Sequence, residues 1–226
     1  SSENYERRFI MTFPNETLPK GRKQKTTSLY DRFVSMGAVM GDSFGLESVL
    51  WFAKNKEDAH EEPTIKRSRS HEYVSKEVKN VRENVGVIEV ANFSKHEFQG
   101  PDARKFLNYV LAGRIPKPGR ICLNPMLTPK GKLYGDLTVA CLNENRFIIF
   151  GSGAVQEMHR RWFESHLKSF NVTYKNRSDD FHGLALSGPK SRDLLQKLVR
   201  ENISNENFKF RDVREMYVAG VPAIVN

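Results

Sequence analysis

The sequence has few cysteines and no long apolar runs. Its 226 residues include two cysteines, Cys122 and Cys141, which are too few for a disulfide-stabilised scaffold. The longest apolar runs, such as FIIF at 147–150, fall far short of the roughly 20 residues that a membrane-spanning helix needs. The polar start SSENYERRF does not resemble a signal peptide. We therefore expect no membrane partner, buried thiols and a reducing compartment: the cytoplasm or, in a eukaryote, the mitochondrial matrix.

The common sequence signatures of cofactor sites are also missing. The sequence has no Walker loop, no Gly-x-Gly-x-x-Gly motif and no Gly-x-Ser-x-Gly motif, so it shows no nucleotide or flavin fingerprint. No cysteines and histidines have the spacing of a zinc site. His159 and His166 lie seven residues apart, two turns along one predicted helix, which is too far for one ion. We expect no metal site and a structural or surface role for both histidines.

The charge balance favours anionic partners. A formal net charge of +9 accompanies a globular composition with 38% hydrophobic and 28% charged residues. Nucleic acids, phosphorylated ligands and polycarboxylates would all suit this charge. The basic residues cluster at 20–25 and 66–69, in loop-like sequence without interleaved aromatic residues. This pattern favours solvated surfaces over a nucleic-acid site.

Apolar periodicity predicts an α+β fold of helices and short strands, two of which form a hairpin. Helices are expected over 73–86 (ending at Gly86), 100–113 and 154–170, and strands over 87–93, 95–100, 119–127, 135–142 and 146–151. The run VREMYVAGVPAIVN at 213–226 predicts two strands joined by a turn at Gly220. Because this run stops without a polar cap, we expect a truncated fragment of a longer protein.

The first 71 residues have a looser pattern. Four apolar residues are spaced as on one side of a short helix: Leu29, Phe33, Met36 and Val39. Trp51 needs an apolar surface to pack against. Residues 54–71 are charged and poor in apolar side chains, which is typical of an exposed connector.

Two stretches of the sequence resemble each other. EFQGPDARKFLNYVL at 97–111 and ALSGPKSRDLLQKLV at 185–199 each combine a short strand, a Gly-Pro corner and a helix. Their corner glycines, Gly100 and Gly188, lie 88 residues apart, a period that suits two related α+β units. Alternatively, Gly-Pro is simply a common corner between a strand and a helix.

One carboxylate stands out in the predicted hairpin MLTPKGKLYGDLTVACL at 126–142. Asp136 follows Gly135 where the second strand begins. An aspartate there commonly caps the turn by bonding to local backbone. Alternatively, it faces a cavity where it handles a proton for a ligand. The residue pattern alone does not separate these two interpretations.

A resemblance to a known family bears on this choice. The stretch from Val78 to Leu142, VKNVRENVGVIEVANFSKHEFQGPDARKFLNYVLAGRIPKPGRICLNPMLTPKGKLYGDLTVACL, resembles the folate-binding region of the glycine cleavage T-protein. The same region forms the C-terminal half of dimethylglycine and sarcosine dehydrogenases. The stretch LYDRFVSMGAVMGDSFGLESVLWFA at 29–53 is similar to the segment that joins the flavin domain to the folate domain in those dehydrogenases.

The resemblance implies a fold of antiparallel sheets with flanking helices around a central funnel that holds tetrahydrofolate. It implies that Asp136 is the catalytic carboxylate beside the reactive folate nitrogens, and that Leu123, Tyr134 and Gly151 lie in the folate site. The sequence departs from the family pattern at Leu123, where a tyrosine is frequent, and at Lys132, where a glycine is usual. The family's downstream glutamate motif lies beyond residue 226, so we expect the chain alone to be inactive.

The resemblance also implies a domain organisation and a reaction. Residues 1–56 correspond to the dehydrogenase-type arm and 72–226 to an aminomethyltransferase-like folate domain. Between them, 57–71 is a charged connector to which the resemblance does not extend. A missing N-terminal domain would carry FAD and oxidise an N-methyl amine to an iminium. The folate domain would capture the one-carbon unit on tetrahydrofolate as 5,10-methylenetetrahydrofolate. Two alternatives stay open: a stand-alone aminomethyltransferase or demethylase, and a non-catalytic regulatory or RNA-associated module.

Overall fold

The computed structural model describes residues 2–13 and 16–226. The helices are α1 (Ser2–Glu6), α2 (Tyr30–Ser35), α3 (Ser70–Glu83), α4 (Ala103–Val110), α5 (Gln156–His166) and α6 (Ser191–Gln196). The strands are β1 (Ala38–Ser43), β2 (Leu46–Phe52), β3 (Gly86–Glu89), β4 (Phe93–Gln99), β5 (Arg120–Leu127), β6 (Leu133–Asn143), β7 (Arg146–Ser152), β8 (Thr173–Asn176), β9 (Leu184–Ser187), β10 (Arg214–Val218) and β11 (Val221–Val225). Across these described ranges, no helix has both the length and the apolar character needed to cross a membrane.

The chain divides into two compact units, and the second contains a five-stranded antiparallel sheet. This unit comprises residues 93–183 and 191–226. The sheet has the order β5-β6-β7-β4-β8. Its core packs strand residues against α4 and α5, and it contains Phe98, Phe106, Leu107, Met126, Leu137, Val139, Phe147, Ile149 and Phe163. The predicted hairpin of β5 and β6, followed by β7, is confirmed.

The two faces of this sheet differ because side chains alternate along each strand. On β6, Gly135, Leu137 and Val139 are buried on the face that carries the helices, which we call the helix face. Asp136 and Thr138 therefore lie on the other face, which we call the outer face.

The rest of the second unit forms a smaller core. It consists of α6, β10 and β11 around the buried residues Val199, Ile203, Phe208 and Met216. The predicted pair of strands at the end of the chain is confirmed, with Val218 opposite Val221 at the turn. Arg120 forms an ion pair with Asp212, and the Arg146 guanidinium lies 2.6 Å from a carboxylate oxygen of Glu215.

The first unit comprises residues 1–92 and 184–190. In this unit, the helix predicted near residue 30 is shorter than expected. The periodicity of apolar residues extended that helix to Val39, but α2 ends at Ser35 and Val39 is buried in β1. Gly37 has a φ of +90°, which ends the helix and starts the hairpin of β1 and β2. Trp51 on β2 is buried, as predicted.

The connector and the following helix also differ from the prediction. Within the predicted connector, Glu61 accepts a hydrogen bond from the Trp51 indole at 2.7 Å, and Asp58 accepts one from the Tyr73 hydroxyl at 2.6 Å. This segment is therefore attached to the first unit through its charged side chains. The helix predicted over 73–86 runs from Ser70 to Glu83, and Gly86 begins β3 instead of ending the helix.

The two Gly-Pro corners have matching geometry, which supports the structural-repeat hypothesis. Gly100 has a φ of +145°, and the nitrogen of Asp102 donates to the carbonyl of Asn171. Gly188 has a φ of +118°, and the nitrogen of Lys190 donates to the carbonyl of Asn84. Each asparagine is followed by a valine, and the next residue begins the strand that pairs with the Gly-Pro strand, β8 with β4 and β3 with β9.

The boundaries of the two units differ from the predicted division at residues 56 and 71. The break after Asn92 falls between β3 and β4 because β9 returns to pair with β3 and so belongs to the first unit. The assignment of 72–226 to folate binding stays a prediction.

Candidate active site

Asp136 lies on the outer face with an unengaged carboxylate. It is exposed on β6 directly opposite Pro125 of β5. Within residues 2–13 and 16–226 the Asp136 side chain forms no hydrogen bond or ion pair. An acidic side chain in this position is available to a ligand that approaches the outer face.

The turn before Asp136 is stabilised by a different residue. The Thr128 carbonyl accepts from Gly131 at 2.8 Å, and the Thr128 nitrogen donates to the Lys132 carbonyl at 2.8 Å. The Thr128 hydroxyl also accepts a hydrogen bond from the Lys132 nitrogen at 3.2 Å. The capping role considered for Asp136 is therefore performed by Thr128.

Leu123 lies close to Asp136 on the outer face. It sits opposite Thr138, two residues along from the pair formed by Pro125 and Asp136. Diagonal neighbours of this kind lie within reach of long side chains. Leu123 is 74% exposed, so it presents an apolar surface beside the carboxylate.

Tyr134 and Gly151, the other two predicted folate-site residues, lie on the helix face. The pairing of β5 with β6 shifts register beside Met126 and leaves Tyr134 as the extra residue of a bulge. The Tyr134 ring packs on the Trp162 ring of α5, with centroids 4.5 Å apart. Gly151 is buried beside Leu137. The structure therefore brings together Asp136 and Leu123 but separates them from Tyr134 and Gly151.

For His159 the sequence pattern predicted only a structural or surface role. The residue lies on α5, is 1% exposed, and its Nε2 is 3.4 Å from the Tyr134 carbonyl. The ring fits against Gly135 and Gly151, where added Cβ atoms would lie 3.0 Å from Nε2 and 3.2 Å from Nδ1, respectively. Burial lowers the pKa of His159, and the Tyr134 carbonyl partly offsets this shift.

A second buried histidine lies next to His159. The Nδ1 of His96 is 2.8 Å from the Tyr174 hydroxyl, and its ring meets the Phe163 ring edge-on. Burial, with a smaller contribution from His159, lowers the pKa of His96 from 6.5 to about 4. His96 is therefore neutral in the folded protein at physiological pH.

This burial predicts a loss of stability in acid. The unfolded chain binds a proton at His96 near pH 6.5, whereas the folded protein does so only near pH 4. Between these values the unfolded state binds more protons, so stability falls as the pH falls, by about 3 kcal/mol in total. Urea unfolding at pH 7.5 and pH 4.5 should show that His96→Phe reduces this loss.

The control for the acid effect is His71→Gln, a substitution of an exposed histidine on α3. This variant should lose as much stability between the two pH values as the parent protein. An equal loss in His96→Phe and the parent would contradict the assignment to His96.

A cavity of about 310 Å³ lies at another part of the outer face. It is lined by Glu97, Gln99, Arg146, Thr173, Lys175 and Arg177. Glu97 is buried and accepts from Arg146 at 2.7 Å and from Arg177 at 2.9 Å. Both arginines also bind an exposed carboxylate, so this network stabilises the sheet through paired charges.

Comparison with known proteins decides the family. A family model described as the GCVT N-terminal domain matches residues 29–226. The chain belongs to this family. The aminomethyltransferase T of the glycine cleavage system from Bartonella henselae has a similar fold, with a TM-score of 0.68, 20% identity, and coverage of 86% of this chain and 48% of that one. The predicted α+β fold of the T-protein type is confirmed.

Relatives of two kinds match the sequence. Human mitochondrial dimethylglycine dehydrogenase is 34% identical over 224 residues, which cover 97% of this chain and 26% of that protein. An aminomethyltransferase from Thermotoga sp. (strain RQ2) is 27% identical over 204 residues, covering 89% of this chain and 50% of that protein. The chain thus spans about a quarter of the dehydrogenase and half of the aminomethyltransferase.

Proposed function

We propose that this GCVT N-terminal domain is the folate-facing part of an enzyme related to dimethylglycine and sarcosine dehydrogenases. The enzyme transfers a one-carbon unit from an oxidised N-methyl amine to tetrahydrofolate and gives 5,10-methylenetetrahydrofolate. The observation that carries this proposal is the Asp136 carboxylate, which is exposed on the outer face of the five-stranded sheet in a chain of the GCVT family. Within residues 2–13 and 16–226 it forms no hydrogen bond or ion pair. FAD would bind outside this chain, which has no flavin fingerprint.

The roles of the residues follow from their positions. Tetrahydrofolate supplies the two nitrogens, N5 and N10, that accept the one-carbon unit. Asp136 accepts a proton at its carboxylate oxygen and stabilises positive charge near those nitrogens. Leu123 offers an apolar surface for a flat ring beside the carboxylate. Tyr134 and Gly151 act from the helix face and support the strands instead of touching the ligand.

The dehydrogenase relationship is favoured by the extent of the match. The human dehydrogenase matches 97% of the chain, whereas the Thermotoga aminomethyltransferase matches 89% at lower identity. The human relative is named as mitochondrial, so we place a eukaryotic source protein in the mitochondrial matrix and a bacterial one in the cytoplasm. A stand-alone aminomethyltransferase is the second candidate, favoured by the Thermotoga match. A flavin domain encoded upstream in the same gene would exclude it.

The test of the proposed function is a calorimetric titration of 5-formyltetrahydrofolate into the protein at its full natural length. We expect saturable binding to a single site. p-Aminobenzoylglutamate, which lacks the pterin ring, should bind far more weakly because it offers nothing to the surface around Asp136 and Leu123. Absence of binding by the full-length protein would overturn the folate assignment. The 226-residue chain, titrated alongside, shows whether residues outside it complete the site.

A further inference from the structure

We propose that His159 is a positioning residue for Asp136 and acts from the opposite face of the sheet. This inference rests on the proposed function, because it assigns His159 a role in the reaction that Asp136 serves. It concerns the hydrogen bond between His159 and Tyr134, and the two glycines between which the imidazole lies.

The hydrogen bond fixes the state of the imidazole. A carbonyl oxygen can only accept, so the contact of 3.4 Å requires Nε2 of His159 to carry the hydrogen. Nδ1 is then the bare nitrogen of the neutral ring. Burial favours this neutral form because it lowers the pKa of His159.

The bulge before Asp136 explains why this contact matters. Tyr134 is the extra residue between the pairs that Met126 and Leu127 form with β6, so it has no partner residue across the β5–β6 ladder. A backbone carbonyl at such a position needs a donor from elsewhere. His159 supplies it from α5, and the backbone two residues before Asp136 is held in place.

The two glycines make the close approach possible. Gly135 lies between Tyr134 and Asp136, and a Cβ there would come within 3.0 Å of His159 Nε2. Gly151 lies on the neighbouring strand, and a Cβ there would come within 3.2 Å of His159 Nδ1 and 2.8 Å of a Leu137 methyl group. The imidazole is therefore fixed between two strands. A displaced ring would no longer donate to the Tyr134 carbonyl, two residues before Asp136.

The test compares His159→Leu with His159→Gln in the full-length protein. Glutamine retains an amide donor near the position of Nε2, whereas leucine fills the volume without a donor. We expect His159→Leu to lower kcat for folate-dependent product formation about 10- to 100-fold, as for a misplaced catalytic group. KM for tetrahydrofolate should stay within about twofold, and His159→Gln should recover most of kcat, because only positioning is lost.

A second variant displaces the same ring without removing it. Gly151→Ala places a methyl group against Nδ1 and should also lower kcat more than it changes KM. Glu157→Gln, on an exposed residue of the same helix, is the matched control and should leave both constants unchanged. Thermal unfolding of each variant gives the folded fraction by which the rates are corrected.

Two results would overturn the proposal. One is an unchanged kcat in His159→Leu; the other is an equal loss of kcat in the leucine and glutamine variants after correction for folding.

A separate readout distinguishes failure of the proposed function. If the full-length protein does not bind 5-formyltetrahydrofolate, the proposed function is wrong, but the backbone amide NMR signals of Gly135 and Asp136 still report the link. These signals should shift in His159→Leu and stay close to the parent in His159→Gln; unshifted signals in the leucine variant refute it.

Discussion

Replacing Asp136 with asparagine should lower folate-dependent turnover by about 100- to 10,000-fold, the range typical of a lost general acid or base. Asparagine keeps the shape of the side chain but neither accepts a proton nor carries the negative charge that stabilises a developing cation. The free energy of unfolding should change by less than about 0.5 kcal/mol, since the carboxylate is exposed and its side chain is unengaged within the described ranges.

The measurement separates the two halves of the proposed reaction. Product formation from tetrahydrofolate should collapse in Asp136→Asn. Oxidation of the amine, followed with an artificial electron acceptor, should continue because the proposed function assigns it to a flavin domain outside this chain. The matched control is Glu144→Gln, a largely exposed carboxylate in the β6–β7 turn that pairs with Arg104. Normal folate-dependent turnover in Asp136→Asn would return Asp136 to a non-catalytic surface role.

Much of the fold could be predicted because its local patterns agree with its tertiary structure. The sequence pattern predicted a strand at β6, where burial alternates at the start of the strand, and apolar periodicity predicted a helix at α5. The helix predicted to reach Val39 was wrong because apolar spacing does not show the positive φ of Gly37, which ends α2 and begins the hairpin. Propensity and spacing report one segment at a time, whereas that turn depends on the pairing of β1 with β2.

The candidate site was less accessible to sequence reasoning. The residue pattern did not decide whether Asp136 caps the turn or takes part in catalysis. The structure shows that Thr128 caps the turn. Tyr134 and Asp136 are two residues apart, so regular alternation would put them on the same face, but the bulge sends Tyr134 to the helix face. Nothing in the sequence marks that bulge. The contact of His159 with Tyr134 joins residues 25 positions apart, which no local pattern reveals.

The glycine corners support a second prediction with a large effect. Gly100→Ala should destabilise the protein by about 3 kcal/mol, because alanine is strained at a φ of +145°. In addition, a Cβ at Gly100 would lie 2.5 Å from the Asn171 carbonyl oxygen and 3.0 Å from the Val172 Cα. Both neighbours are backbone atoms just before β8, which begins at Thr173, so relief requires the chain before β8 to move away from the end of β4.

A matched glycine separates backbone strain from this close approach. Gly131 has a φ of +72°, and no atom lies within 4 Å of an added Cβ, so Gly131→Ala should cost only about 1 kcal/mol. Gly188→Ala should resemble Gly100→Ala, because its Cβ would lie 2.5 Å from the Asn84 carbonyl oxygen. Urea unfolding of the three variants measures these differences. Equal losses at Gly100 and Gly131 would contradict a cost from the close approach. Parallel losses at Gly100 and Gly188 would show that both corners depend on the same contact between a helix-to-strand junction and a Gly-Pro turn.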